Sequence, residues 1–580
     1  MNAKSLIAIA VVVVVVIAAI GAVFLMGGGN DDGEETIAQK GSDTLLELMQ
    51  NGAEQFHQDQ TGISVQVTGG GSGTGIAALI NGQVDVAQAS REMKDSEMAD
   101  AEDAGIDPLR FRVAIDGIAI VVNSDNTVDQ LTMEQLKGIY DGSIDNWEEI
   151  GGPDEDIVAY GRQSTSGTYG FFQEVVLEGE DYAQDMQSMQ GNSEIVSSVK
   201  DDERGIGYVG VGYADGASGI SIANLSQDGD DYYSPLDSDA VYSEDYPLWR
   251  YLNLYVDSDT VDSDRMLRVW ISWILEPSGG QEVVENVGFY PLSLGIIDEE
   301  MVKLAKSQTI VQKGSDTLLE LMQNGAEAFD EEYDTISVQV TGGGSGTGIA
   351  ALINGQVDVA QASREMKDSE MADAEDAGID PLRFRVAIDG IAIVVNSDNT
   401  VDQLTMEQLK GIYDGSIDNW EEIGGPDEDI VAYGRQSTSG TYGFFQEVVL
   451  EGEDYAQDMQ SMQGNSEIVS SVKDDERGIG YVGVGYADGA SGISIANLSQ
   501  DGDDYYSPLD SDAVYSEDYP LWRYLNLYVD SDTVDSDRML RVWISWILEP
   551  SGGQEVVENV GFYPLDSATI SEELAKLGYE

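Results

Sequence analysis

Two kinds of apolar pattern alternate along this chain. Residues 36–39, 63–67, 84–87, 157–161, 206–213 and 252–256 are short runs of apolar or apolar/polar alternation, the period of a strand. Residues 113–122 form a longer apolar run of the kind a fully buried strand needs, broken by Asp116-Gly117. Between them, apolar residues recur at helical spacing over 45–56, 76–80, 131–140, 169–177, 263–275 and 281–287, with a last helical stretch in 293–309. Strands that alternate with helices predict an α/β fold with largely parallel sheets. The whole pattern then recurs. Residues 63–292 return letter for letter as 336–565, and 39–54 return as 312–327; only 55–62 differ from 328–335. A period this long is no solenoid repeat, which runs at about 20–50 residues. It predicts two whole globular units in tandem, over 36–308 and 309–580.

The first 35 residues break the pattern. Residues 6–26 carry no charge, enough helix to cross a hydrocarbon core of about 30 Å. Lys4 precedes this run and Asp31 and Asp32 follow it, which predicts a cytoplasmic N-terminus with both repeats outside. An uncleaved single-pass membrane anchor is the expectation, against a removed signal peptide, whose apolar core is usually shorter.

Composition narrows the chemistry. The chain has 108 Asp and Glu against 28 Lys and Arg, a net charge of −80, yet 42% of its residues are hydrophobic. Each repeat can therefore build a core, and the acids form a solvated surface that repels nucleic acid. There is no cysteine and a single histidine. Disulfides, thiolate metal sites and paired-histidine metal motifs are excluded. His57 has Asp330 as its counterpart, so both repeats cannot share a Ser-His-Asp triad.

Three places in each repeat share one layout, a strand followed by small hydroxyl and glycine residues and then a helix: Gly41-Ser42-Asp43-Thr44, Gly71-Ser72-Gly73-Thr74-Gly75 and Ser166-Gly167-Thr168. Helix N-termini offer unpaired N–H groups and partial positive charge, a recipe for holding an oxyanion. Each is also an ordinary helix cap when taken alone. None has the lysine of a nucleotide-binding phosphate loop. Cations are scarce, which draws attention to Arg162, four residues before Ser166, and to Arg91, directly after Ser90. Arginine grips oxyanions with parallel hydrogen bonds; Arg91 could equally pair with Glu92 or Asp95. Asp116 is a carboxylate inside an apolar run and needs a partner. The partner is either a nearby arginine or a ligand that brings a proton, because an ionised carboxylate only accepts.

The succession Gly-Ser-x-Thr, Gly-Gly-Gly-Ser-Gly-Thr-Gly, Ala-Ser-Arg-Glu, Asp-Gly-Ile-Ala-Ile-Val-Val-Asn, Leu-Thr-x-Glu-Gln-Leu-x-x-Ile-Tyr and Gly-Arg-x-x-x-Ser-Gly-Thr resembles the phosphate-binding proteins of Pst-type ABC importers, over nearly all of each repeat. The resemblance implies two tandem periplasmic-binding-protein-like units of type II. Each would be a pair of α/β lobes joined by crossover strands and closing on phosphate like a clam. It implies capture of inorganic phosphate for a membrane ABC permease, with no chemistry, no cofactor and no metal. The ligands it implies are Ser42, Thr44, Ser72, Asp116, Arg162, Ser166, Gly167 and Thr168. Their counterparts are Ser315, Thr317, Ser345, Asp389, Arg435, Ser439, Gly440 and Thr441. Other branches of the family carry an aspartate after Ala-Ser where this chain has Arg91 and Arg364, possible further ligands; Asp116 is then the candidate acceptor of the ligand's proton. Another oxyanion, such as sulfate or molybdate, and a cell-surface assembly role for the reused fold stay open.

Overall fold

The computed structural model of the chain describes residues 35–60, 62–333 and 335–579. The expected anchor at 6–26 lies outside them. Among the described residues no helix is long and apolar enough to cross a membrane. The chain divides into two compact units, Met1–Pro291 and Leu292–Glu580.

The first unit begins with β1 (Glu35–Gly41), α1 (Leu46–Asp59), β2 (Ile63–Thr68), α2 (Ser72–Ile80), β3 (Val86–Ala89), α3 (Asp95–Ala104) and the long strand β4 (Pro108–Asn123). There follow β5 (Gln130–Thr132), α4 (Met133–Asp141), β6 (Val158–Arg162), α5 (Gly167–Val175), β7 (Gln187–Met189), α6 (Asn192–Asp201), β8 (Gly205–Gly210), α7 (Val211–Ala214), β9 (Ile220–Ser226) and α8 (Ser238–Tyr242). The unit closes with β10 (Trp249–Asp257), α9 (Ser258–Ser263), α10 (Arg265–Leu275) and α11 (Gly280–Asn286).

The strand order makes two lobes. In the first, β2, β1 and β3 are parallel, and β10 pairs antiparallel with both β3 and β4. In the second, β4 pairs antiparallel with β8 and β9, while β8, β6 and β7 run parallel. β4 serves both. Its register against β10 runs to Gly117↔Trp249, and against β8 it starts at Ile118↔Gly210. The chain leaves the first lobe along β4 and returns along β10, so these two strands are the crossover. The sheets are thus parallel away from the crossover and antiparallel at it, because an outgoing and a returning strand lie side by side.

The cores follow from the apolar faces. In the first lobe Phe56 of α1 meets Trp270 and Trp273 of α10 edge-on, with ring centroids 5.1 and 5.6 Å apart. In the second, Phe172 of α5 stacks on Tyr208 of β8 at 4.1 Å. Edge-on and offset ring pairs add about 0.5–1.5 kcal/mol each beyond the area they bury.

The buried strand expected over 113–122 is present and passes through Asp116-Gly117 as the continuous 16-residue β4. Two expectations change. The helix expected from residue 76 begins at Ser72, because Gly71 at φ 89° caps it in a conformation that side chains disfavour, and a Cβ there would strike the Thr165 carbonyl. The strand expected at 252–256 begins at Trp249. The helix expected in 293–309 is present as α12 (Leu294–Val302), which groups with the second unit. Its Asp298 is bonded by Arg538 and Arg541 of a helix in that unit, Arg538–Leu548.

The second unit repeats the first strand for strand, from Gln308–Gly314 to Trp522–Asp530, with the same sheet order.

Candidate functional site

The expected site residues, apart from Arg91 and Arg364, can be followed along their elements to one place between the lobes of each unit. β1 ends at Gly41, and the turn after it delivers Ser42 and Thr44, both buried. Gly71 starts α2 and places Ser72, fully buried, at its first turn. β3 ends at Ala89, and Ser90, also fully buried, follows. These three serines touch. Ser42 Oγ donates to Ser90 Oγ at 3.0 Å, Ser72 Oγ lies 3.3 Å from Ser90 Oγ, and the Ser90 N–H donates to Ser72 Oγ at 3.1 Å.

The second lobe meets them through α5. Ser166 caps this helix, its hydroxyl accepting the Thr168 N–H at 3.2 Å. Gly167 faces the serines, where a Cβ would run into the hydroxyls of Ser72 and Ser90. This close approach is what glycine permits. Thr168 Oγ1 lies 3.2 Å from Thr44 Oγ1, a hydroxyl contact between lobes. The helix N-terminus is thereby aimed at a cluster of small hydroxyls.

Arg162, at the end of β6, is 1% exposed. Its Nη1 donates to Asn192 Oδ1 at 2.9 Å, and its Nη2 to the Gln190 carbonyl at 3.1 Å and to Asp43 Oδ2 at 3.3 Å. Its Nε is buried and has no partner, and the same is true of Arg435 Nε in the second repeat. A buried N–H left unbonded costs about 1–3 kcal/mol, more on a cation. Burial lowers the Arg162 pKa from its ordinary value, Asp43 opposes that, and the positive charge of Arg250 adds to it.

Arg250 is the residue the sequence reading missed. It sits on β10 directly opposite Asp116 on β4. Both are buried. Its Nε and Nη2 donate to Asp116 Oδ2 at 3.1 and 2.7 Å, its Nη1 to the Ser90 carbonyl at 2.8 Å, and its Nη2 also to Thr168 Oγ1 at 2.9 Å. The other Asp116 oxygen accepts the Val211 N–H at 3.2 Å. Asp116 is therefore held within the protein by an arginine, the first of its two expected alternatives, although that arginine is neither Arg91 nor Arg162. Burial raises its pKa, against the pull of Arg250. One guanidinium ties both crossover strands, the first lobe at Ser90 and the second at Thr168.

Arg91 is spent elsewhere. It grips Glu97 with two parallel bonds of 2.7 and 2.8 Å and donates to the Glu92 carbonyl at 2.7 Å. Its acid is thus Glu97 of α3, not the side chain of Glu92 or Asp95. Arg364 does the same with Glu370.

The second repeat reproduces the cleft. Ser315 and Ser345 bracket Ser363 at 2.9 and 3.3 Å, and Thr317 lies 3.2 Å from Thr441. Ser439 caps its helix through the Thr441 N–H, and Gly440 faces Ser345 and Ser363. Arg523 joins Asp389, the Ser363 carbonyl and Thr441, while Arg435 bonds Asn465 and Asp316. Among the described residues no group of three or more His, Cys, Asp or Glu could hold a metal ion.

Known proteins resemble each repeat in sequence. The model of the PBP superfamily domain matches twice, over residues 29–278 and 303–551. The phosphate-binding protein PstS of Pseudomonas aeruginosa is 31% identical over 279 residues, 46% of this chain and 85% of that protein. PstS of Staphylococcus saprophyticus is 32% identical over 276 residues, 47% of this chain and 85% of that protein. Among solved structures, a putative phosphate ABC transporter substrate-binding protein with bound phosphate, from Clostridium perfringens, is 29% identical with a TM-score of 0.40; the match covers 45% of this chain and all of that one. The chain therefore belongs to the PBP superfamily, within the family of PstS-type phosphate-binding proteins, and carries that family's domain in two tandem copies.

Proposed function

We propose that this chain is an extracytoplasmic solute-binding protein that captures inorganic phosphate, one anion per repeat, and presents it to an ABC permease. It binds its ligand without transforming it. The observation that supports this most is the pair of buried guanidinium N–H groups, Arg162 Nε and Arg435 Nε, which lack a partner within the protein, as does Asn192 Nδ2 beside Arg162. A tetrahedral oxyanion with several acceptor oxygens would satisfy them. Ser42, Thr44, Ser72, the N–H groups at the start of α5 and Thr168 are the other contacts, with Ser90 added to the expected set. Asp116 takes part through Arg250 rather than by touching the anion, as does Asp389 through Arg523. The serine hydroxyls both donate and accept, so they can receive a protonated phosphate oxygen.

The surface charge of −80 opposes the approach of an anion, so affinity comes from these local donors and not from long-range steering. Because the site is buried, binding should vary little with ionic strength. Residues 6–26 would hold the protein to the outer face of the membrane, and protease added to intact cells should then release the repeats.

Calorimetric titration of the chain with phosphate, sulfate and arsenate tests the reading. Two phosphates per chain with nearly equal affinity are expected, since the two clefts are alike. Absence of heat with every anion would return attention to an assembly role, and preference for sulfate would name a different cargo.

A further inference from the structure

The two repeats contain one helix of identical sequence in different surroundings. In the second unit, Arg538–Leu548 is covered by α12, and Met539, Val542 and Trp546 are buried at 6%, 1% and 4% exposure. Asp298 of α12 sits at the centre of that contact. Arg538 Nε donates to it at 3.1 Å, Arg541 Nε and Nη2 at 2.6 and 3.0 Å, and the Tyr579 hydroxyl at 2.7 Å. In the first unit the same helix is α10. Its Met266, Val269 and Trp273 are only half-buried, and Arg265 is exposed. Arg268 is half-buried on the same face. The sequence is constant, so the difference lies in what covers the helix.

The second unit also shows the chemistry of a fitting cover. α12 is amphipathic, turning Ile297 and Val302 inward with Asp298 beside them. The chain immediately upstream of β1 cannot copy it. Residues 27–34 read Gly-Gly-Gly-Asn-Asp-Asp-Gly-Glu, acidic without an apolar side chain, and residues 6–26 are apolar without an acid, so neither stretch combines the two chemistries as α12 does.

We propose that the α10 face of the first repeat, made by Arg265, Met266, Arg268, Val269 and Trp273, docks an amphipathic helix of another polypeptide, apolar on one side with a carboxylate at the middle of that side. The two arginines set the position of the acid, and the half-buried Met, Val and Trp supply the apolar contact. The surface is independent of what the clefts bind.

A labelled peptide of residues 294–307 serves as the probe, added to the full chain and followed by fluorescence anisotropy. It should bind saturably at one per chain. Asp298→Asn in the peptide, or Arg265→Ala with Arg268→Ala in the chain, should each weaken binding at least about tenfold, the loss expected when a charged hydrogen-bond partner is removed. Arg538→Ala with Arg541→Ala should leave it unchanged. Thermal melts of both double variants show that they remain folded. No saturable binding at millimolar peptide, or equal binding by the Arg265/Arg268 variant, would overturn the proposal. Binding that appears only after residues 1–34 are removed would also overturn it, by assigning the face to the chain's own leader.

Discussion

The two arginines of each cleft are equally buried and do opposite things. Arg250 is saturated: Asp116 neutralises it, and Ser90 and Thr168 take its remaining reach. Arg162 is held by neutral groups and by a more exposed Asp43 at 3.3 Å, and its Nε is left unbonded. A buried cation that is fully paired is part of the framework. A buried cation that is incompletely paired is where the proposed function puts the anion. The contrast sets the residue that ties the lobes against the one proposed to hold the ligand, and it can be tested one residue at a time.

The largest effect is expected at Arg250. Arg250→Met leaves Asp116 buried without its cation, which should cost about 3–5 kcal/mol of stability in the first repeat. Adding Asp116→Leu should recover most of it, since apolar replacement of a buried pair is often near neutral. Denaturant melts measure both. If the single variant proves as stable as the parent, Arg250 is not the tie described here. Next comes Arg162. Arg162→Ala should weaken phosphate binding in its own repeat by about 2–5 kcal/mol and halve the calorimetric stoichiometry, with little change in melting. Arg435→Ala should do the same in the second repeat. Normal affinity in the double variant would remove this arginine from the site.

A smaller effect is expected at Asp116 itself. Asp116→Asn with Asp389→Asn keeps shape and one acceptor for Arg250, so phosphate and sulfate affinities should fall together and their ratio should hold. A ratio that collapses would instead mean that the carboxylate meets the ligand's proton. The smallest effect belongs to the outlying pair of Arg91 and Glu97. Burial alone would raise the Glu97 pKa, but bonds from Arg91 and the Lys94 N–H outweigh it and hold the carboxyl below its ordinary value. A depressed acid contributes stability above the ordinary carboxylate range and loses it as the pH falls through the depressed value. Melting temperatures of Glu97→Gln and the parent should therefore differ slightly at neutral pH and converge in acid.

The same contrast shows what could be read in the chain. Arg162 was legible because it lies four residues before a Ser-Gly-Thr helix start, a local signal. Arg250 was not, because its importance rests on a pairing between strands far apart in sequence. The strand there was drawn from Leu252, although Trp249-Arg-Tyr-Leu-Asn-Leu-Tyr-Val continues the same pattern. An arginine inside a strand of so acidic a chain was the available clue. The need of Asp116 for a partner was legible from its apolar neighbours, and with Arg250 beside the carboxylate β4 runs through it unbroken. Ser90 was passed over as the residue before Arg91, and only the meeting of three loops gives it Ser42 and Ser72 as neighbours. The acidic segment of α3 looks like solvated surface in the sequence, because Ala101 is its one buried residue.

The shared strand β4 has a consequence for how the protein is made. Because the second lobe is spun out between β4 and β10, the first lobe's sheet stays open while residues 124–248 are synthesised. It is completed only when β10 slots between β3 and β4. The strand Trp522–Asp530 has the same sequence and would fit that gap equally well. On the ribosome the nearer strand emerges first and claims its place, since domains form from the N-terminus onward. In a test tube that order is lost. Chains refolded whole from denaturant should include a slow, cross-paired fraction that a single repeat, refolded alone, does not produce.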